Sequence, residues 1–261
     1  PDRMKNVASL ITESGDPTFV VLSAMSGTTN SLIEISNYLY KKNPDGANEV
    51  INKLEKKYMQ HVEELYSTDE YKEKTREFLR EEFKYMRSFT KDIFTSFEEK
   101  SIVAQGEIMS TNMVLNYLQE QGIKATLLSA FDFMRTDKNA EPDAQYIKEK
   151  LTAIMTENEG YQIYITQGFI CLNAYGEIDN LQRGGSDFTA SLIGVALGAE
   201  EIQIWTDIDG MHNNDPRIVD ETEAIRQLNF EEAAELAYFG AKILHPTCVQ
   251  PAKYAGIPVR L

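Results

Sequence analysis

Thr18-Phe-Val-Val-Leu-Ser-Ala24, running out of the breaker Gly15-Asp-Pro17, is the stretch on which the fold turns. Its β-branched and aromatic residues, bounded by turn formers, predict a buried strand. Similar runs predict strands over 125–129, 161–166, 202–206 and 257–261, with helical patterns between them. Asn229 with Glu232 three residues on predicts a capped helix over 230–239 that Gly240 stops. Pro246 opens another helix, which Gly256 ends before the last strand. Strand alternating with helix predicts an α/β layered fold with a mainly parallel sheet.

One segment departs from that rhythm. Residues 47–105 contain neither glycine nor proline, and apolar residues recur at helical spacing: Ile51, Leu54, Tyr58, Val62 and Leu65, then Leu79, Phe83, Met86, Ile93 and Phe97. Two long amphipathic helices are predicted. They could form a lid or a dimer surface, or an insertion covering the sheet; apolar helix stripes are usually core, which favours the insertion. The chain shows no internal repeat, low-complexity tract or flexible linker.

The 261 residues are 42% hydrophobic and 26% charged, enough to bury a core in one large or two small domains. A net charge of -15 argues against nucleic acid or an anionic membrane as the main partner. Any anionic ligand must be met by local cations. Cys171 and Cys248 are too few for a disulfide framework and read as small buried side chains in a reducing compartment. No signal peptide or membrane-spanning run is evident, so the expected location is cytoplasmic.

Familiar nucleotide fingerprints, the GxGxxG and GxxxxGK[ST] loops, are missing, as are a GxSxG elbow and metal-ligand spacing among His61, His212 and His245. What remains are turns that follow strands. The hydroxyl-rich turn of residues 23–30 precedes a helical pattern, and its N–H groups and hydroxyls could hold a carboxylate or phosphate, or serve only as a helix cap. In the stretch LQRGGSDFTA (181–190), Gly184 and Gly185 permit close backbone approach, Ser186 and Asp187 can cap the following helix, and Arg183 offers a planar fork. An arginine beside an aspartate suits the two ends of a zwitterion such as an amino acid; an internal ion pair is the plainer reading. The loop of residues 205–217 follows a strand, where α/β folds bind ligands. There Thr206, Asp207, Asp209 and Asp215 could hold ribose or magnesium and Arg217 could reach phosphates, or the acidic residues could form ordinary Asx turns. Lys242 adds a cation near a helix stop.

Together these segments resemble aspartate kinase, of the amino acid kinase family. The resemblance rests on LSAMSGTTN (22–30), GEIMST (106–111), DFMRTD (132–137), ITQGFI (165–170), RGGSDFTA (183–190), WTDIDG...DPR (205–217) and ELAYFGAKILHP (235–246), in the family's order over nearly the whole chain. It implies a three-layer αβα sandwich with a helical insertion (47–100), an N-terminal lobe (1–160) on the aspartate side and a C-terminal lobe (161–261) on the ATP side. The implied reaction moves the γ-phosphoryl group of ATP, with Mg2+, to the side-chain carboxylate of L-aspartate, giving 4-phospho-L-aspartate. That is the first step toward lysine, threonine, methionine and, in bacteria, diaminopimelate.

Carried over by position, the substrate site comprises Ser23, Thr29, Glu107, Arg183, Ser186 and Asp187. Arg183 would hold a carboxylate of aspartate, while Glu107 and Asp187 would accept from its ammonium. The nucleotide side comprises Thr206, Asp207, His212, Arg217, Gly240 and Lys242; His212 stands where the family usually has tyrosine. Arg183, Asp187 and Lys242 are the implied catalytic groups. The family's chain begins with a strand carrying Lys-Phe-Gly-Gly-Thr-Ser and continues into regulatory ACT domains, through which it commonly dimerises. Because this sequence runs from Pro1 to Leu261, the resemblance implies a catalytic-domain fragment that binds ligands more readily than it turns over. Glutamate 5-kinase, acetylglutamate kinase and uridylate kinase share the fold class, but GEIMST with RGGSD and FGAKILHP points to aspartate. A non-catalytic ligand-binding module is the alternative from another class.

Overall fold

A computed structural model of the protein describes residues 1–91, 93–181, 184–219, 221–239 and 244–261, with only the backbone at Pro246. Its elements in order are α1 Asp2–Thr12, β1 Thr18–Leu22, α2 Thr28–Tyr40, α3 Pro44–Leu65, α4 Asp69–Ser88, α5 Ser96–Val103, α6 Gln105–Glu120, β2 Ala125–Leu127 and α7 Ala130–Phe133. The second half holds α8 Ala144–Glu157, β3 Ile163–Gln167, β4 Ile170–Leu172, β5 Ile178–Asn180, α9 Gly185–Leu197, β6 Ile202–Gln203, α10 Phe230–Tyr238, α11 Pro246–Ala255 and β7 Val259–Arg260.

Of the stretch 18–24 predicted as a buried strand, Thr18–Leu22 forms β1, with Val20 buried and its neighbours half-buried, and residues 23 and 24 belong to the following loop. β1 pairs in parallel with β3, which pairs in parallel with β2, in the order β1-β3-β2. Alternation along these strands builds the layers, because successive side chains face opposite sides. Val20, Ala125, Ile163 and Ile165 pack with Ala8 of α1 and Val114 and Leu118 of α6. Tyr164 and the half-buried Phe19 and Val21 turn the other way, onto Ile147 and Leu151 of α8 and Leu192 and Ile193 of α9. Helices therefore cover both faces, as the αβα layering requires. The middle strand β3 comes from the second half of the chain, so the two halves share this sheet. Among the described residues the other strands form a parallel β6-β7 pair and an antiparallel β4-β5 hairpin. The hairpin was not predicted: its strands are three residues each, too short to carry a period.

The insertion is a core layer. Ile51, Leu54, Tyr58, Val62 and Leu65 of α3 and Leu79, Phe83 and Met86 of α4 are all buried, in one cluster with Leu32 and Ile35 of α2 and Met109 and Met113 of α6. Ile93 and Phe97 correct the predicted stripe, at 86% and 45% exposed. The reason is local: α4 ends at Ser88, and Phe97 belongs to a separate helix begun by a Thr95–Glu98 capping box.

Capping signals elsewhere are realised. Asn229 Oδ1 accepts from Glu232 N and Asn229 N donates to Glu232 Oε2, both at 2.8 Å. Gly240, the expected stop, lies outside the described residues. Gly256 closes α11 in the left-handed region at φ 69°, which glycine enters without a Cβ penalty.

Candidate active site

Two glycines without room for a side chain bring the site together. A Cβ on Gly106 of α6 would lie 2.8 Å from the Ala24 Cβ, so glycine lets the loop after β1 rest on that helix. Across this contact Ala24 N donates to Glu107 Oε1 at 3.2 Å and Ser110 Oγ donates to Ser23 O at 2.8 Å. A Cβ on Gly168, just past β3, would lie 2.2 Å from Ser186 Oγ, so the first turn of α9 sits directly against the end of the central strand. Ser23 Oγ then donates to Ser186 Oγ at 2.7 Å, joining the two loops. Residues 23, 107, 168 and 186 thus share one place at the carboxyl ends of β1 and β3, where α/β sheets bind ligands.

Glu107 is the chemical centre of this cluster. It is 5% exposed, and burial pushes its carboxyl up to about 7 against the opposing effect of the Ala24 N–H. Asp187, half-buried in the first turn of α9, is also raised by burial. Among the described residues no cation lowers either group. Desolvated carboxyls of this kind suit a positively charged ligand group.

Beside them lie two helix starts. Gly27 and Gly184 are the N-caps of α2 and α9, at φ 77° and 71°, and neither helix has a side-chain cap. Their first-turn N–H groups begin on the two segments that the Ser23–Ser186 bond joins, an arrangement suited to anionic oxygens. This corrects the expected capping by Ser186 and Asp187: α9 starts at Gly185, so both lie inside its first turn, and Ser186 Oγ accepts from Ser23. Gly184 has a packing duty as well, since a Cβ there would overlap Cys248 Sγ at 1.5 Å. Thr29 stands half-buried in the first turn of α2; its neighbour Thr28 is the fully buried hydroxyl. Arg183, Gly240 and Lys242 lie outside the described residues.

The loop of residues 205–217 is ordered by its own side chains. Thr206 Oγ1 accepts from Ile208 N at 3.1 Å, and Asp207 is exposed. His212 is buried, with Nδ1 2.9 Å from Thr222 Oγ1 and Nε2 2.7 Å from Asp209 Oδ1. Arg217 Nε and Nη2 each donate to the Asp215 carboxylate at 2.9 Å, a forked pair that holds the Asp215 carboxyl below its ordinary range. Asp209 and Asp215 thus have partners in His212 and Arg217 within the loop. Among the described residues no group of three or more His, Cys, Asp or Glu could hold a metal ion. No described helix is long and apolar enough to cross a membrane. Both cysteines are buried, and burial pushes their thiols up to about 12 for Cys171 and about 11 for Cys248, which favours the protonated thiol.

Sequence reading missed Ser110, Gly168 and Thr189. Thr189 Oγ1 accepts from Phe169 N at 2.9 Å while Phe169 adopts φ 69°. All three lie inside quoted motifs, so the motifs held the signal and only the roles were hidden.

Comparison with known proteins gives the class of this chain. The family model of the amino acid kinase family matches residues 1–261, and the chain belongs to that family. Lysine-sensitive aspartokinase 3 of Escherichia coli K12 is 34% identical over 99% of this chain and 57% of its own length. Aspartokinase 2, chloroplastic, of Arabidopsis thaliana is 35% identical over 100% of this chain and 49% of its own. The crystal structure of E. coli aspartokinase III in complex with aspartate and ADP superposes with a TM-score of 0.86 at 33% identity, over 99% of this chain and 57% of that one. This chain spans about half the length of the curated relatives it matches.

Proposed function

We propose that this chain carries an ATP-dependent kinase site for the side-chain carboxylate of L-aspartate, yielding 4-phospho-L-aspartate for lysine, threonine and methionine biosynthesis and, in bacteria, for diaminopimelate. The observation that carries the proposal is the buried Glu107 together with the half-buried Asp187. Both carboxyls are raised by burial, lack a described counter-cation and lie beside helix starts, as a zwitterionic amino acid needs. The relatives' names, and the aspartate and ADP in the E. coli structure, agree with that chemistry.

In this reading Glu107 and Asp187 accept from the substrate ammonium, and Arg183 forks onto a substrate carboxylate. Ser23, Thr29 and Ser186 line the anion-binding loops. Thr206, Asp207, His212, Arg217, Gly240 and Lys242 are assigned to the nucleotide, on the side of the C-terminal lobe (161–261), and the aspartate to the N-terminal lobe (1–160). The aspartate side chain, with an ordinary pKa of about 3.9, is already an anionic nucleophile and needs no general base. One of its oxygens bonds to the γ-phosphorus as the bond to the β,γ-bridging oxygen breaks and ADP leaves. Lys242 and helix N–H groups offset the charge gathering on the phosphoryl oxygens. Mg2+ entering with ATP would add positive charge at the phosphates; among the described residues no group of three or more His, Cys, Asp or Glu could hold it. The cytoplasm is the expected compartment, although the Arabidopsis relative is named chloroplastic.

Thermal unfolding in saturating MgADP tests the proposal. L-Aspartate should raise the midpoint and L-glutamate should not, because a ligand selective for the native state stabilises it. A response to glutamate or to a uridine nucleotide in place of aspartate would overturn it.

A further inference from the structure

From the geometry we infer that the helical insertion is part of the substrate site's machinery, with Tyr58 and Lys57 of α3 acting as positioning residues that clamp the loop after β1. This rests on the proposed aspartate site. Tyr58 is fully buried, its ring edge-on to Phe83 with centroids 5.8 Å apart. Phenylalanine would fill that space equally well, so the hydroxyl needs its own reason. Its oxygen lies 3.1 Å from Thr28 Oγ1, which is also fully buried. Buried hydroxyls are expensive unless paired, and these two pair with each other. One residue earlier on α3, Lys57 Nζ donates to Ser26 O at 2.8 Å.

Both anchors grip the segment that presents Ser23 and the Ala24 N–H. The Thr28 methyl also faces Gly106, where an added Cβ would lie 3.6 Å from it. The loop is therefore held between α3 on one side and α6, carrying Glu107, on the other. Its contact with Glu107, Ala24 N to Oε1 at 3.2 Å, is already long for an N–H···O bond. A shift of a few tenths of an ångström would break it and leave the carboxylate misplaced for an ammonium. As positioning residues, Tyr58 and Lys57 act through Thr28, Ser26 and the Ala24 N–H.

The test uses Tyr58→Phe, Thr28→Val and Lys57→Met, with Thr28→Ser as the variant that keeps the hydroxyl. Calorimetric titration should show aspartate Kd rising about 5- to 10-fold in the first three, the size of one lost hydrogen bond, with MgADP Kd within about twofold. Thr28→Ser should retain the parental Kd. Tyr58→Phe combined with Thr28→Val should be little weaker than either alone, since both remove the same contact. Hydrogen exchange of the unliganded protein should also quicken at amides 24–28 in Tyr58→Phe. Unchanged aspartate affinity in all three variants, or equal losses for both ligands, would overturn the inference. Should a core variant fail to fold, Lys57→Met, at a half-exposed position, still decides. Quickened exchange in a protein whose parent form binds no aspartate would leave the clamp standing and sink the proposed substrate.

Discussion

Protonation of Glu107 should be coupled to aspartate binding, and the sign and size follow from the structure. Burial raises the carboxyl from its ordinary 4.5 to about 7 in the folded protein. The native state therefore holds this proton more tightly than the unfolded chain. Stability contributed by the neutral carboxyl is complete below the unfolded value and is lost as pH rises from about 4.5 through about 7. At about 1.4 kcal/mol per pH unit the loss is about 3 kcal/mol, an upper figure because water can reach a partly opened site. An ammonium bound beside Glu107 favours its ionised form and lowers its affinity for the proton. At pH 6.5, where the free site is mostly protonated, aspartate binding should then release on the order of half a proton or more. Calorimetry in two buffers of different ionisation enthalpy measures that number directly. Glu107→Gln should abolish the release, flatten stability between pH 5 and 7 and weaken aspartate by about tenfold or more. Proton uptake on binding, or release that persists in Glu107→Gln, would refute the reasoning.

Gly168→Ala places a methyl 2.2 Å from Ser186 Oγ and 2.8 Å from Ser186 Cα, so the loop contact must open; a loss of about 1–3 kcal/mol is expected by denaturant titration, with aspartate affinity falling further. Phe83→Ala empties the fully buried centre of the insertion and should cost about 3–5 kcal/mol, whereas under 1 kcal/mol would mean the insertion is not core. Asn229→Ala removes the cap of α10 and should cost about 1 kcal/mol while leaving aspartate binding intact. Asp215→Asn weakens the fork that orients Arg217 and should raise ATP KM several-fold without altering aspartate KM, which steady-state kinetics separates.

Elements with several repeats of a period, or with a complete capping signal, could be read in advance. The strand at 18–22, the buried stripes of α3 and α4, and the Asn229–Glu232 box depend on neighbours within about four residues, and local chemistry suffices for these. Ile93 failed because the periodic pattern was extended across the end of α4, where residues 89–95 interrupt it. The β4-β5 hairpin failed because three residues per strand leave propensity too little to act on.

The motifs named which residue types the site would use, and Glu107, Ser23, Ser186 and Asp187 were among them. Their arrangement depended on packing between distant segments. Ser23 meets Ser186 across 163 positions of chain, and Ala24 meets Glu107 across 83, because Gly106 and Gly168 remove the side chains that would hold those segments apart. Desolvation likewise belongs to the folded state: no local pattern distinguishes Glu107 from the many solvated glutamates of this acidic chain. Sequence alone therefore determined the layers, the helix boundaries with complete signals and the chemical inventory. Tertiary structure decided that Ser186 accepts from Ser23 across the chain, that Glu107 is buried enough for its carboxyl to be pushed up to about 7, and that the insertion reaches the loop after β1 through Tyr58 and Lys57. Hydrogen bonding and desolvation depend on what surrounds a group in space, and only the closed fold supplies those surroundings.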